Sequence, residues 1–164
     1  VSISDRDIEH LRRCVDLASE ALDDGDQPFG SILVDGTGKV IFEDRNRVKG
    51  GDHTRHPELT IALWAVANMS PVARAEATVY TSGEHCPMCA AAHAWVGLDR
   101  IVYAVSGAQL TEWLTEWEVP PSPVASLPIN AVAPDVLVEG PVRIFEDEMK
   151  SLHATCFKPR GSAE

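Results

Sequence analysis

Four residues in two short clusters have the types and spacing that chemistry requires: His56 with Glu58, and Cys86 with Cys89. Imidazole nitrogen and thiolate sulfur are ligands that zinc takes, and three such ligands leave the fourth tetrahedral position open, as in a catalytic site. A zinc ion can bring the pKa of a bound water from 15.7 down to about 7. Glu58, two residues past the first ligand, is placed to take that water's proton and pass it on. A lone C-x-x-C also suits a redox pair or half of a zinc ribbon. The chain has no second C-x-x-C, however, and Cys14 and Cys156 have no partner at ligand spacing.

Both clusters stand where helices should begin. Pro57 opens an almost wholly apolar run of Leu59, Ile61, Ala62, Leu63, Ala65, Val66 and Met69, and Pro87 opens another that Gly97 stops. Proline is tolerated at a first helical position, where the amide it lacks would be unpaired. Helix starts favour negative charge, which eases ionisation of both thiols. For the two starts to meet, adjacent strands must carry them. Residues 31–35 and 39–43 flank Gly36-Thr37-Gly38 as a hairpin, residues 77–81 read as a third strand, and 100–105 as a fourth. A strand, helix, strand unit of this kind predicts parallel pairing with a right-handed crossover. Ser4, with Asp7 three residues on, caps a first helix over residues 5–22. Beyond Gln109 the pattern predicts a short helix over 111–117, a long proline-rich loop, an edge strand at 136–138 and a closing helix over 142–156.

Composition narrows the function further. The 164 residues carry 14 Lys plus Arg against 25 Asp plus Glu, a formal charge of −11. A chain this acidic has little with which to hold phosphate, so a nucleic-acid partner and an anionic membrane surface are both disfavoured. No apolar stretch approaches the ~20 residues of a membrane span, and the length suits one domain, residues 1–164. Reduced thiols or a metal suit the close cysteine pair better than disulfides, and a cytoplasmic location is expected.

His56-Pro57-Glu58 followed by Cys86-Pro87-Met88-Cys89 resembles the zinc signature of the cytidine deaminase-like superfamily, H-x-E and then P-C-x-x-C. The likeness extends to residues 27–34, which are similar to the family's Pro-Phe-Gly approach to the first strand. Asn46 follows the second strand where the family places a base-binding asparagine. Thr81-Ser82-Gly83-Glu84 leading into Cys-Pro-Met-Cys is similar to the guanine deaminase and tRNA adenosine deaminase branch. The resemblance spans residues 5–105. It implies an α/β fold, a three-layer α/β/α sandwich around a central mixed sheet of about five strands. It also implies Zn2+ on His56, Cys86 and Cys89, with Glu58 as proton shuttle. The implied reaction is hydrolytic deamination of a free nucleobase with water as co-substrate. Guanine or a modified or isomeric guanine comes first, and cytosine or a triazine-like amino-heterocycle second. A tRNA adenosine deaminase and a non-catalytic zinc module are further alternatives.

The same resemblance names the residues expected around a base. Phe29 and Trp95 are expected as apolar walls, Asn46 and the segment Ser82 to Glu84 as groups that orient the ring, and His56 as both ligand and neighbour. His85 stands where the family usually has proline, and Pro57 where it commonly has alanine; His85 is expected to line the pocket or compete for the metal. Glu116, with Glu112 and Glu118 as rivals, lies where guanine deaminase-like members bring in a second acid. Plainer readings accompany these. Asn46 between two arginines also suits a turn, Phe29 also suits core, and helix-surface acids are usually solvated. His10, His53, His93 and His153 read as structural or exposed. The tail 157–160 either folds over the pocket or frays. Four tryptophans and the proline-rich loop offer apolar area that suits a homodimer.

Overall fold

The computed structural model describes residues 2–161; Val1 and residues 162–164, the ends of the expected domain, lie outside the described residues. Helix α1 (Asp5–Asp23) opens on the expected reciprocal cap, in which the Asp7 amide donates to Ser4 Oγ at 3.2 Å and the Ser4 amide to Asp7 Oδ2 at 2.8 Å. Strands β1 (Gly30–Val34) and β2 (Val40–Arg45) form the hairpin. Then follow α2 (Pro57–Asn68), a short α3 (Pro71–Arg74), β3 (Thr78–Gly83), α4 (Pro87–Trp95) and β4 (Arg100–Val105). The remainder is α5 (Gly107–Glu116), α6 (Ile129–Val132), β5 (Val138–Glu139) and α7 (Glu146–Phe157).

The five strands form one mixed sheet in the order β2-β1-β3-β4-β5, with β1 antiparallel to both neighbours and β3, β4 and β5 parallel. Successive side chains on a strand point to opposite faces. Leu33, Val79 and Ile101 pair across β1, β3 and β4 on one face, beneath α2, α4 and α6. Ile32, Tyr80 and Val102 pair on the other, beneath α1, α5 and α7. The result is the expected three-layer sandwich. Gly30 is required where α1 crosses β1, because a Cβ there would collide with the Leu17 Cβ and the Cys14 carbonyl. Arg100 at the start of β4 ties the layers together. It bonds Asp7 of α1 at 2.8 Å and Glu139 of β5, and the Tyr80 hydroxyl donates to the same Asp7 at 2.7 Å. Burial alone would raise the Asp7 carboxyl, but hydrogen bonds from Arg100, Ser4 and Tyr80 outweigh it and hold the group well below the usual range.

The C-terminal third departs from expectation in its boundaries. Helix α5 starts at Gly107 because Ser106 and Gln109 make a second reciprocal cap. Helix α7 starts at Glu146, preceded by a tight turn over Arg143–Phe145, because the Val142 amide is drawn to the Ala104 carbonyl alongside β4. The tail does not fold over a pocket: Phe157 stacks on His153, and residues 158–161 are exposed. Among the described residues no helix is long and apolar enough to cross a membrane.

His153 is wholly buried among Phe29, Trp113 and Phe157, and neither ring nitrogen has a partner. Burial pushes its imidazole down to about 4. Between pH 6.5 and 4 the unfolded chain therefore binds a proton that the folded chain refuses, so this residue lowers stability as the pH falls through that window. Denaturant unfolding of His153→Phe should show less acid destabilisation than wild type between pH 6.5 and 4, by up to about 3 kcal/mol. Equal pH slopes in the two proteins would refute this.

Candidate functional site

His56 and Cys86 are the N-cap residues of α2 and α4, and Cys89 lies in the first turn of α4. The two helices pack side by side on one face of the sheet, with their starts at the same end. Each start carries the expected proline just after the ligand, and neither ligand side chain is spent on capping. His56 Nδ1 stands 3.5 Å from Cys86 Sγ and 3.6 Å from Cys89 Sγ, and the three ligand atoms lie within 4.8 Å of one another. Tetrahedral zinc with Zn–N and Zn–S bonds of about 2.0 and 2.3 Å would hold its nitrogen and sulfur ligands about 3.5 Å apart. The spacing fits.

The charges ask for a cation as well. The Cys86 thiol is pulled down to about 4, first by the hydrogen bond from Cys89 and then by His56, against the effect of burial. Cys89 moves the opposite way, pushed up by sharing that bond and by burial, and His56 is raised by its contact with Cys86. Two sulfurs this close cannot both ionise unless a positive charge stands between them. Glu58, in the first turn of α2, is 6% exposed, and burial raises its carboxyl despite His56 nearby and the hydroxyls that touch it. Its Oε1 lies 2.9 Å from Ser31 Oγ and 2.8 Å from Thr81 Oγ1. A half-buried metal triad beside a buried carboxyl of raised pKa can activate water and move its proton.

Residues 4–105 match the family described as the cytidine and deoxycytidylate deaminase zinc-binding region. The chain belongs to this family. It is 36% identical over 151 residues, 89% of each chain, to a "Probable cytosine deaminase" of Schizosaccharomyces pombe. To a guanine deaminase of Bacillus subtilis it is 34% identical over 104 residues, 62% of this chain and 66% of the other. A solved guanine deaminase of Nitrosomonas europaea shares the fold, with a TM-score of 0.65 at 18% identity over 95% of this chain and 87% of that one. The protein is a zinc-dependent deaminase, and His56, Cys86 and Cys89 are the residues that would hold its metal.

Around the triad of this deaminase, the expected binding residues separate into two groups. Asn46 is buried beside Phe29, whose carbonyl accepts from the Asn46 amide at 2.9 Å. Its Oδ1 accepts from the amides of Gln27 and Val48, while its Nδ2 finds no acceptor among the described residues. The turn role and a free donor therefore coexist. The Phe29 ring lies against Gly83 just ahead of the metal loop, where a Cβ would come within 3.2 Å of it. Ser82 spends its hydroxyl on the Gly30 amide at 3.1 Å.

Four side chains expected at the site do not open on it. Trp95 ends α4 with 88% of its surface exposed, nine positions beyond Cys86. Both Glu84 oxygens are taken by backbone amides, Oε2 by Gly107 at 2.8 Å and Oε1 by Ile129 at 3.0 Å, so this carboxylate organises the starts of α5 and α6. His85 turns into the interior because neighbouring residues of extended chain point in opposite directions and Cys86 faces His56. Its ring meets His93 edge-on at 5.5 Å, with both nitrogens sealed and unpartnered. Glu116 is on the outer face of α5, exposed and 3.3 Å from Lys150, and its rivals Glu112 and Glu118 are exposed too. The buried face of α5 is instead taken by Trp113. Sequence reading missed Ser31 and Thr81; the available signal was two hydroxyls at strand positions whose alternation places them in the core.

Protein purified without chelator or tag should carry about one zinc per chain by elemental analysis. Cys86→Ser and Cys89→Ser should each lower that content at least tenfold in dialysed samples, because metal affinity rests on the full ligand set. Undiminished zinc in both variants would show that the metal sits elsewhere.

Proposed function

We propose that this deaminase hydrolyses the exocyclic amine of a free nucleobase, guanine or a guanine-related purine, releasing ammonia and leaving a carbonyl in its place. The observation that carries the reading is the buried Glu58 carboxyl beside the metal triad. When bound, zinc supplies the Lewis acidity that lowers the pKa of water. Glu58 accepts the proton that the water gives up as its oxygen adds to the amine-bearing ring carbon. It passes that proton to the ring nitrogen beside that carbon and then carries the remaining hydroxyl proton to the amine, which departs as ammonia and leaves the carbonyl. A carboxyl whose hold on a proton is raised by burial is suited to both transfers.

Asn46 and Phe29 set the ring in place. The free Asn46 Nδ2 is a donor for a ring carbonyl, a group that guanine carries, and Phe29 offers an apolar flank. The similarity to the Bacillus subtilis guanine deaminase supports the purine. Cytosine is the second reading, favoured by the 36% identity that runs over 89% of the chain; it too presents a carbonyl beside an aminated ring carbon. The charge of −11 argues against structured RNA as substrate.

Ammonia release from a panel of amino-purines, amino-pyrimidines and their nucleosides decides the substrate. Guanine-type bases should react first, and nucleosides should react poorly. Activity on cytosine alone would establish the second reading, and activity on nucleosides alone would overturn the free-base assignment. In Glu58→Ala the rate should fall about 10²–10⁴-fold with zinc still bound.

We infer in addition that the protein pairs with a second copy through the outer faces of α2 and α4. Leu63, Val66 and Trp95 stand there 61, 51 and 88% exposed, and a groove lined by Leu59, Leu63, Trp64 and Ala67 runs along α2. Light scattering on a sizing column should give a dimer at micromolar concentration, and Leu63→Glu with Trp95→Glu should give a monomer. A monomeric wild type would refute the pairing.

A further inference from the structure

On the sheet face that carries α2 and α4, an apolar pair gives way to a polar one. Leu33 of β1 is opposite Val79 of β3, and two residues along the strands, on the same face, Ser31 is opposite Thr81. Both Ser31 and Thr81 are wholly buried, where a hydroxyl costs free energy unless it is bonded. Their bonds converge on one atom. Ser31 Oγ and Thr81 Oγ1 lie 2.9 and 2.8 Å from Glu58 Oε1 and 2.8 Å from each other. Thr81 Oγ1 also lies 3.0 Å from the Gly83 carbonyl, at the strand end that leads into the metal loop. No hydrogen bond reaches Glu58 Oε2 from another described residue, and it is not among the sealed, unpartnered atoms.

The last torsion of a glutamate side chain is broad and roughly two-fold, so burial by itself does not decide which carboxylate oxygen faces a substrate. Each hydroxyl has one proton to give, and an ionised carboxylate can take both on a single oxygen. We propose that Ser31 and Thr81 are positioning residues of this deaminase: together they clamp Glu58 Oε1 and so present Oε2 as the oxygen that exchanges protons with water and the leaving amine. The strand register supplies the clamp, because side chains directly opposite on antiparallel strands are close enough for their hydroxyls to meet over one atom. The inference rests on the deaminase reading above for its consequence and on the strand geometry for its existence.

The test pairs a crystal structure with kinetics. In crystals of the zinc-loaded wild type, both hydroxyls should lie within hydrogen-bond distance of the same Glu58 oxygen. In zinc-loaded Ser31→Ala/Thr81→Val the carboxylate should be turned or present in more than one orientation. On the base that the panel identifies, each single variant should lose about tenfold in kcat and the double variant about a hundredfold, the scale expected for a displacement of about 1 Å. KM should stay within about threefold, and zinc content should be unchanged. Thr81→Ser, which keeps the hydroxyl, should recover the rate that Thr81→Val, which keeps the shape, has lost. An unmoved carboxylate in the double variant overturns the clamp, and so does a loss expressed in KM or a rate that Thr81→Ser does not recover. If wild type releases ammonia from no base, the deaminase reading fails, and the orientation of Glu58 in the two crystals still decides the clamp.

Discussion

Two sulfurs and a nitrogen that come from separate helices have to share one small volume, and the rest of the architecture follows from that demand. Left to themselves the thiols compete for a single negative charge, one pulled down and the other pushed up. A dication between them ends the competition. The fold meets the demand by starting two helices at one end of the sheet, on the same face, and by using as N-caps residues whose side chains are then free to reach outward. Unpaired amides at helix starts add a favourable field for the thiolates. Cys14 shows the contrast. Wholly buried in α1, its thiol is pushed well up by burial, which the charge of Arg13 does not offset, and such a thiol is inert.

The part of the site that was legible in the sequence is the part written locally. His56 and Glu58 are separated by one residue, Cys86 and Cys89 by two, and each pair holds a proline at a position suited to open a helix. The hairpin, the parallel crossover and the first helix cap were legible for the same reason: turn residues and caps act over two to four positions. Failures came where a side chain's direction depends on distant packing. Whether Glu116 or Trp113 faces inward is a matter of how α5 rolls against α1 and α7, which its own ten residues do not decide. Trp95 reads as a buried aromatic until α4 is seen to end in the open. Ser31 and Thr81 were invisible because hydroxyls at core positions acquire meaning only when the register sets them opposite each other over Glu58.

Among the described residues, three wholly buried imidazoles have nitrogens that find no protein partner, His85, His93 and His153, and the half-buried His10 has one more at Nε2. His93 uses its second nitrogen on the Asp99 carbonyl at 3.1 Å and so helps to end α4, whereas His85 and His153 have aromatic or imidazole neighbours alone. Buried polar atoms of this kind carry a desolvation cost. Those of the first three lie next to the metal loop on one side and behind Phe29 on the other, so the surroundings of the site are less apolar than the composition suggests.

Glu84 has a further importance for how such a molecule changes over time. Its two oxygens moor the segment just ahead of the metal-binding cysteines to the beginnings of α5 and α6, in a region beyond the stretch that matches the family. Any remodelling of that downstream third, whether by insertion, shuffling or laboratory grafting, inherits an obligation to return two backbone donors to the same carboxylate. The segments after residue 105 that hang between those two anchor points can change while the bonds to Glu84 are kept.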